Sequence, residues 1–379
     1  MTIYLDYYST PLWFGFVQAW IFAVLFWIRG RQSGRLSDLL LGFVMVEMSF
    51  SIWEYMLGFS GINVLWEELE FLPRDFGLGS APLIYFTFRS LTDSTFRFAK
   101  KDIWHFAPFL IDTLYHVLVY AMGSDFVEHW KTTVHHRFYI FHVEFVVGVA
   151  MYIYYFYRSL KLYQAYRRWA VNQFSDTDQV SYRWFRNFLV VVALSLLSQW
   201  TQAIVSLLFD LNFYENWWDK LLAVVLIYYV SIMAYAQVQP SRGMVFNIEE
   251  PRQVSQQVSE NKEETRVWQE KLRKLMEEEK LYLQPELSLS DIALRLKTNI
   301  STLSGVVNGA FGKNFNDFVN EYRVKEFQER MNLPENRNLT LLGIAYDCGF
   351  NSKATFNRAF KKHTGKSPKE FLLSEVEVA

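Results

Sequence analysis

Seven long apolar runs fill residues 1–239, and they stop where the chain turns polar and charged. The first part must keep its side chains from water, while the second is built to meet it. The runs lie at about 11–28, 38–59, 76–92, 103–122, 138–157, 187–209 and 221–238, near the ~17–25 residues a membrane-spanning helix needs. Pro73, Arg74 and Asp75 crowd the start of the third and Arg89 its end. Trp13, Trp27, Trp104, Trp130, Trp217 and Trp218 fall near the predicted ends, as an aromatic belt would place them.

The loops predict an orientation. Arg29, Arg31 and Arg35 mark the first connection, and Arg89, Arg97, Lys100 and Lys101 the third. The fifth carries Arg158, Lys161, Arg167, Arg168, Arg183 and Arg186, whereas the second, fourth and sixth hold few cations. Cation-rich loops stay in the cytoplasm. The N-terminus is then outside and seven crossings leave the C-terminus inside, in a multi-pass protein of the bacterial inner (cytoplasmic) membrane. Arg29 is the first cation, so no basic segment precedes the first run and a cleaved signal peptide is not expected. Cys348 is the only cysteine, which excludes an intrachain disulfide and a cysteine-based zinc site.

Residues 240–284 read as a polar linker. Within them Glu263 to Lys280 predicts an amphipathic helix with Trp268, Leu272, Leu275 and Met276 on one stripe. Two readings stand open: a cap on the following domain, or a short dimer helix that relays a signal. Two heptads are fewer than a coiled coil wants.

Residues 285–372 show one pattern twice, with a tail at 373–379. Apolar residues at helical spacing run from Leu287 to Leu296, Lys297 to Asn299 make a tight turn with Asn299 as an N-cap, and a second helix follows from Ile300 to Ala310. A longer helix is expected at about Asn316–Met331. Thr340 then caps Leu341–Cys348, Gly349 turns the chain, and Ser352 caps Lys353–His363. This is helix, turn, reading helix, repeated. Ala293 and Ala345 hold equivalent places. The segment Ile344–Phe371, from Ile-Ala-Tyr-Asp-Cys-Gly-Phe to Thr-Gly-Lys-Ser-Pro-Lys-Glu-Phe, resembles the signature of AraC/XylS-type transcription regulators. Trp104-His-Phe-Ala-Pro-Phe109 resembles membrane-bound members from Bacteroidetes-like bacteria. The resemblance implies two helix-turn-helix units on one long helix, with their reading helices in successive major grooves.

Carried over residue by residue, the second reading helix should present Lys353, Ala354, Asn357 and Arg358. Arg358 suits guanine and Asn357 adenine, or both hold phosphate. Lys361, Lys362, Lys366 and Lys369 crowd the same end and suit phosphate. The whole chain carries 38 Lys+Arg against 39 Asp+Glu, so only such local clustering speaks for DNA. The first unit exposes Ser301, Thr302, Ser304, Gly305 and Asn308, with Ile300 near its start. Lacking cations there, it should read DNA weakly, by shape and hydroxyl contacts.

Ionisable residues inside spans are costly and mark function. Glu47 and Glu54 share a face of the second run; Asp112 and His116 are i, i+4 on the fourth; His142 and Glu144 sit on the fifth; Gln199 and Gln202 join Ser195 and Ser198 on the sixth. They predict either a ligand cavity open to the outside or structural bonds between helices. His129, His135, His136 and His142 match no compact metal motif. No phosphate loop, His-Glu-x-x-His or nucleophile–base pair is present, so no enzyme, cofactor or metal is expected. The leading expectation is an all-α chain, a polytopic seven-helix transmembrane bundle followed by a cytoplasmic double helix-turn-helix domain, acting as a one-component transcription regulator. Its implied partners are double-stranded DNA, membrane lipid, RNA polymerase, a small-molecule or protein signal and a second copy of the chain. The competing readings are a transporter or membrane enzyme with an attached regulatory domain, and an anchored regulator freed by proteolysis.

Overall fold

The computed structural model describes residues 4–62, 71–72, 76–93, 95–178, 182–209, 214–215, 217–236, 246, 262–336 and 338–376. Among them every regular element is helical, with one isolated β-bridge between Phe174 and Ser288. The chain divides into two compact units. One holds residues 1–163 and 182–239, and the other holds 164–181 and 240–379.

The first unit contains α1 (Ser9–Ser33), α2 (Leu36–Phe59), α3 (Gly77–Thr92), α4 (Ala107–Ala121), α5 (Ser124–Trp130), most of α6 (Ile140–Gln173), α7 (Arg183–Phe209) and α8 (Trp217–Ala236). Each of the seven apolar runs therefore contains a helix. Three helices among the described residues, α1, α2 and α8, are long and apolar enough to cross a membrane by length and composition. The third and fourth runs yield 16 and 15 helical residues, short of the ~20 a bilayer asks for. Residues Lys100–Phe106, partly inside the fourth run, are a 3₁₀ turn instead. Its two cations and Asp102 keep that stretch polar.

Helices α1, α2 and α8 pack on one another. Gly15 lets α8 approach closely, since a Cβ there would stand 2.6 Å from a methyl of Val224. At one end Arg29 donates to Asp38 twice, at 2.9 and 2.7 Å, and to the Tyr235 carbonyl at 2.8 Å. Asp38 is completely buried. At the other end Trp217 donates to the Tyr8 carbonyl and Trp13 to Ser60, at 2.9 and 2.8 Å. Indole groups with a polar partner at a helix end are what an interfacial aromatic belt requires.

The second unit holds the end of α6 and α9 (Lys262–Glu277), α10 (Leu289–Leu296), α11 (Ile300–Ala310), α12 (Phe315–Met331), α13 (Leu341–Asp347), α14 (Lys353–Thr364) and α15 (Pro368–Val376). One core gathers Leu272, Leu275, Met276, Ile292, Leu303, Val306 and Phe318. The other gathers Val324, Phe327, Ile344, Cys348, Phe356 and Phe360. Helix α12 contributes to both cores. The α9 stripe thus lies inside the first core, with Trp268 packed against it. That favours the cap over the dimer helix, because the apolar face is already covered.

Candidate nucleic-acid interface

Local chemistry places the two reading helices. The Asn299 side chain accepts the Thr302 amide at 2.7 Å and starts α11; the Ser352 hydroxyl accepts the Thr355 amide at 3.1 Å and starts α14. Each satisfies an amide the helix itself cannot. Thr340 does the same for α13, accepting from the Gly343 amide at 3.0 Å. The turns before α11 and α14 pass through the left-handed region at Lys297 (φ 53°) and Gly349 (φ 90°). Only glycine fits at 349, where a Cβ would lie 2.5 Å from the Tyr282 carbonyl oxygen. Ala293 and Ala345 are both buried, one helix before each turn.

The second reading helix exposes Lys353, Ala354, Asn357, Arg358, Lys361 and Lys362 while Thr355, Phe356, Ala359 and Phe360 face the core. Lys366 and Lys369 are exposed just beyond it. Lys362 pairs with Asp317 at 2.6 Å and Arg358 with Asp178 at 3.5 Å. No ion pair among the described residues involves Lys353, Lys361, Lys366 or Lys369. The first reading helix is neutral. Asn308 is exposed and donates to Ser304 at 3.2 Å, and Thr302 and Ser304 are half-buried. The Ser301 hydroxyl is turned inward without a hydrogen-bond partner among the described residues. A face with cations at one helix and hydroxyls and an amide at the other suits a polyanion gripped mainly by the second reading helix.

Two charged clusters are built on α12. Arg323, fully buried on α12, donates to the carbonyls of Tyr282 and Gln284 at 2.7 Å each. It also reaches Ser175 at 3.1 Å. Burial brings its guanidinium down to about 10. Glu326, one turn on, is nearly buried and accepts from Tyr282 and Arg330 at 2.7 Å and from Lys280 at 2.9 Å. Burial opposes its charge, but these three donors outweigh it and hold the carboxyl at about 2. Burial pushes the Cys348 thiol up to about 12, which disfavours the reactive thiolate, and its side chain packs in the second core.

The family model described as "Helix-turn-helix domain" matches residues 292–374. Residues 292–374 are a helix-turn-helix domain. The match supports a DNA-binding regulator of the AraC type. Such a domain is generally not catalytic. No curated protein and no solved structure matches the chain.

Three residues at the helix-turn-helix domain escape a reading by motif: Arg323, Thr355 and Asp178. Arg323 carries a signal, a cation among Val319, Val324 and Phe327 on an otherwise apolar face. Asp178 lies in a loop noticed only for its cations, and its partners stand 174 to 180 residues away.

In the first unit the polar residues sort into separate groups. Glu47 accepts from Ser80 at 2.6 Å, and Ser80 in turn accepts from Tyr152 at 3.1 Å, which ties α2, α3 and α6 together. Asp112, His116 and Glu144 converge, with one ligand atom of each within 4.8 Å of the others. Among the described residues those three are the side chains able to share a cation, and none of the four histidines weighed for metal is among them. Glu54 is half-buried, and His142 is exposed and packs edge-on to Tyr139. Gln199 and Gln202, with Ser195 and Ser198, have side chains outside the described residues.

Proposed function

We propose that this chain is a membrane-embedded, one-component transcription regulator. Its C-terminal half binds sequence-specific DNA, and its N-terminal half anchors it and senses a signal. The carrying observation is the pairing, on one chain, of a helix-turn-helix domain with a one-sided cationic reading helix and three helices fit to cross a bilayer. The finer reading is seven crossings with the C-terminus in the cytoplasm. It is supported by a helix at every apolar run and by the alternation of loop cations. Contacts to DNA fall to Lys353, Ala354, Asn357, Arg358, Lys361 and Lys362, with Thr302, Ser304 and Asn308 as weaker readers. The Asp112–His116–Glu144 cluster and the Glu47 network are the places where a polar or cationic signal would act.

Two experiments test the two halves. A reporter active only in the cytoplasm should work when fused after Lys101, Arg168 or Gln239 and fail after Ser60, Ser124 or Asn212. Cytoplasmic activity at Ser124 would contradict the seven-crossing reading. Full-length protein in lipid nanodiscs should retain duplex DNA at low salt and release it steeply as salt rises. Lys361→Ala and Lys366→Ala should each flatten the log–log salt slope by about 1 if each contacts a phosphate. No retention even at low salt would remove the DNA-binding reading.

A further inference from the structure

The second reading helix already holds an anion, and the anion belongs to the chain itself. Residues Phe174 to Asp178 follow the end of α6 and belong to the same compact unit as the helix-turn-helix domain. Their docking is built rather than incidental. Phe174 makes the β-bridge to Ser288, and the Ser175 amide donates to the Leu287 carbonyl at 3.0 Å. Ser175 is fully buried; its carbonyl accepts from Asn316 at 2.7 Å and its hydroxyl from Arg323 at 3.1 Å. Three residues on, the Asp178 carboxylate accepts from the Thr355 hydroxyl at 2.5 Å and from the Ser352 hydroxyl at 3.2 Å, and it meets Arg358 at 3.5 Å.

Those three donors belong to the N-cap, the first turn and the exposed face of α14. The amides and dipole at a helix N-terminus favour an anion, and helix-turn-helix proteins bring that same end of the reading helix to DNA. A DNA phosphate and the Asp178 carboxylate therefore compete for one set of donors. We infer that residues 174–178 are an internal lock, in which Asp178 stands in for a DNA phosphate at the second reading helix and must leave before that helix can bind. The inference rests on the DNA-binding reading above. It adds a regulatory contact outside the matched domain, five residues beyond the last residue of α6.

The test uses full-length protein in nanodiscs and a mixed-sequence 40-base-pair duplex at fixed low salt. Asp178→Asn, nearly the same size but neutral, should bind about tenfold tighter than wild type, the equivalent of about 1.4 kcal/mol. In wild type, added duplex should speed amide hydrogen exchange across residues 174–178, a readout that needs no variant to fold. Equal binding by wild type and Asp178→Asn overturns the lock and leaves DNA binding standing. So does tighter binding by the variant with residues 174–178 still protected in DNA-bound wild type, because a simple loss of like-charge repulsion would then suffice. If neither protein binds the duplex, the DNA-binding reading fails and the lock fails with it.

Discussion

Replacing Arg323 by alanine is expected to cost the helix-turn-helix half about 3–5 kcal/mol. The two bonds to the Tyr282 and Gln284 carbonyls are short and buried. Stranding a buried acceptor costs about 1–3 kcal/mol each, and the space left by a large buried side chain adds to that. Arginine is needed for its planar fork, which serves Tyr282, Gln284 and Ser175 at once. A lysine brings one compact head and cannot span them, so Arg323→Lys should fall between wild type and Arg323→Ala. The change is read by hydrogen exchange in the full chain. Amides of residues 282–284, 286–287 and 174–176 should exchange more than a hundredfold faster in Arg323→Ala, since about 3 kcal/mol already carries that factor. Unchanged exchange there would show that the cluster does not hold these segments.

The second large effect lies in the first unit. Arg29→Ala strands Asp38, a carboxylate with no solvent exposure, without the guanidinium that binds both its oxygens. Breaking a buried pair from one side costs about 3–5 kcal/mol. Removing both charges costs less, since no lone ion is left. The Arg29→Gln, Asp38→Asn double variant should therefore resist denaturing detergent better than Arg29→Ala alone, followed by loss of helicity. If the single variant is as stable as the double, the pair is not a structural lock between α1 and α2. The pair also bears on topology, because one of the three cations of the first connection is neutralised where it stands.

What could be read from sequence was what local chemistry decides. Asn299, Thr340 and Ser352 were identified as caps because a cap serves an amide two or three residues away. The Leu272–Met276 stripe announced a buried face, although only packing could say that its partner is the adjacent core. Asp112 and His116 were recognisable as a pair at one helical turn, and Glu144 joined them only once α4 and α6 were placed. The fourth run reads four residues too long at its start because Ile103–Phe106 are as apolar as the helix that follows, yet belong to the 3₁₀ turn Lys100–Phe106. Asp178 and Arg323 were opaque for a different reason. Their meaning lies in partners from other elements, and a loop carboxylate reads as a solvated charge until its donors are seen.

The turn at Gly349 has a further consequence. With no room for a side chain between it and Tyr282, and with Arg323 and Glu326 fastening the same strip of chain, the two reading helices ride on a single stiff frame. On the proposed DNA-binding reading, the domain measures the duplex as a fixed caliper does. The gap between the two stretches it reads is set by protein geometry, not by the flexibility of a tether. Because one turn of duplex takes about 10–10.5 base pairs, five extra base pairs between those stretches would swing the second to the far side of the double helix, out of the caliper's reach.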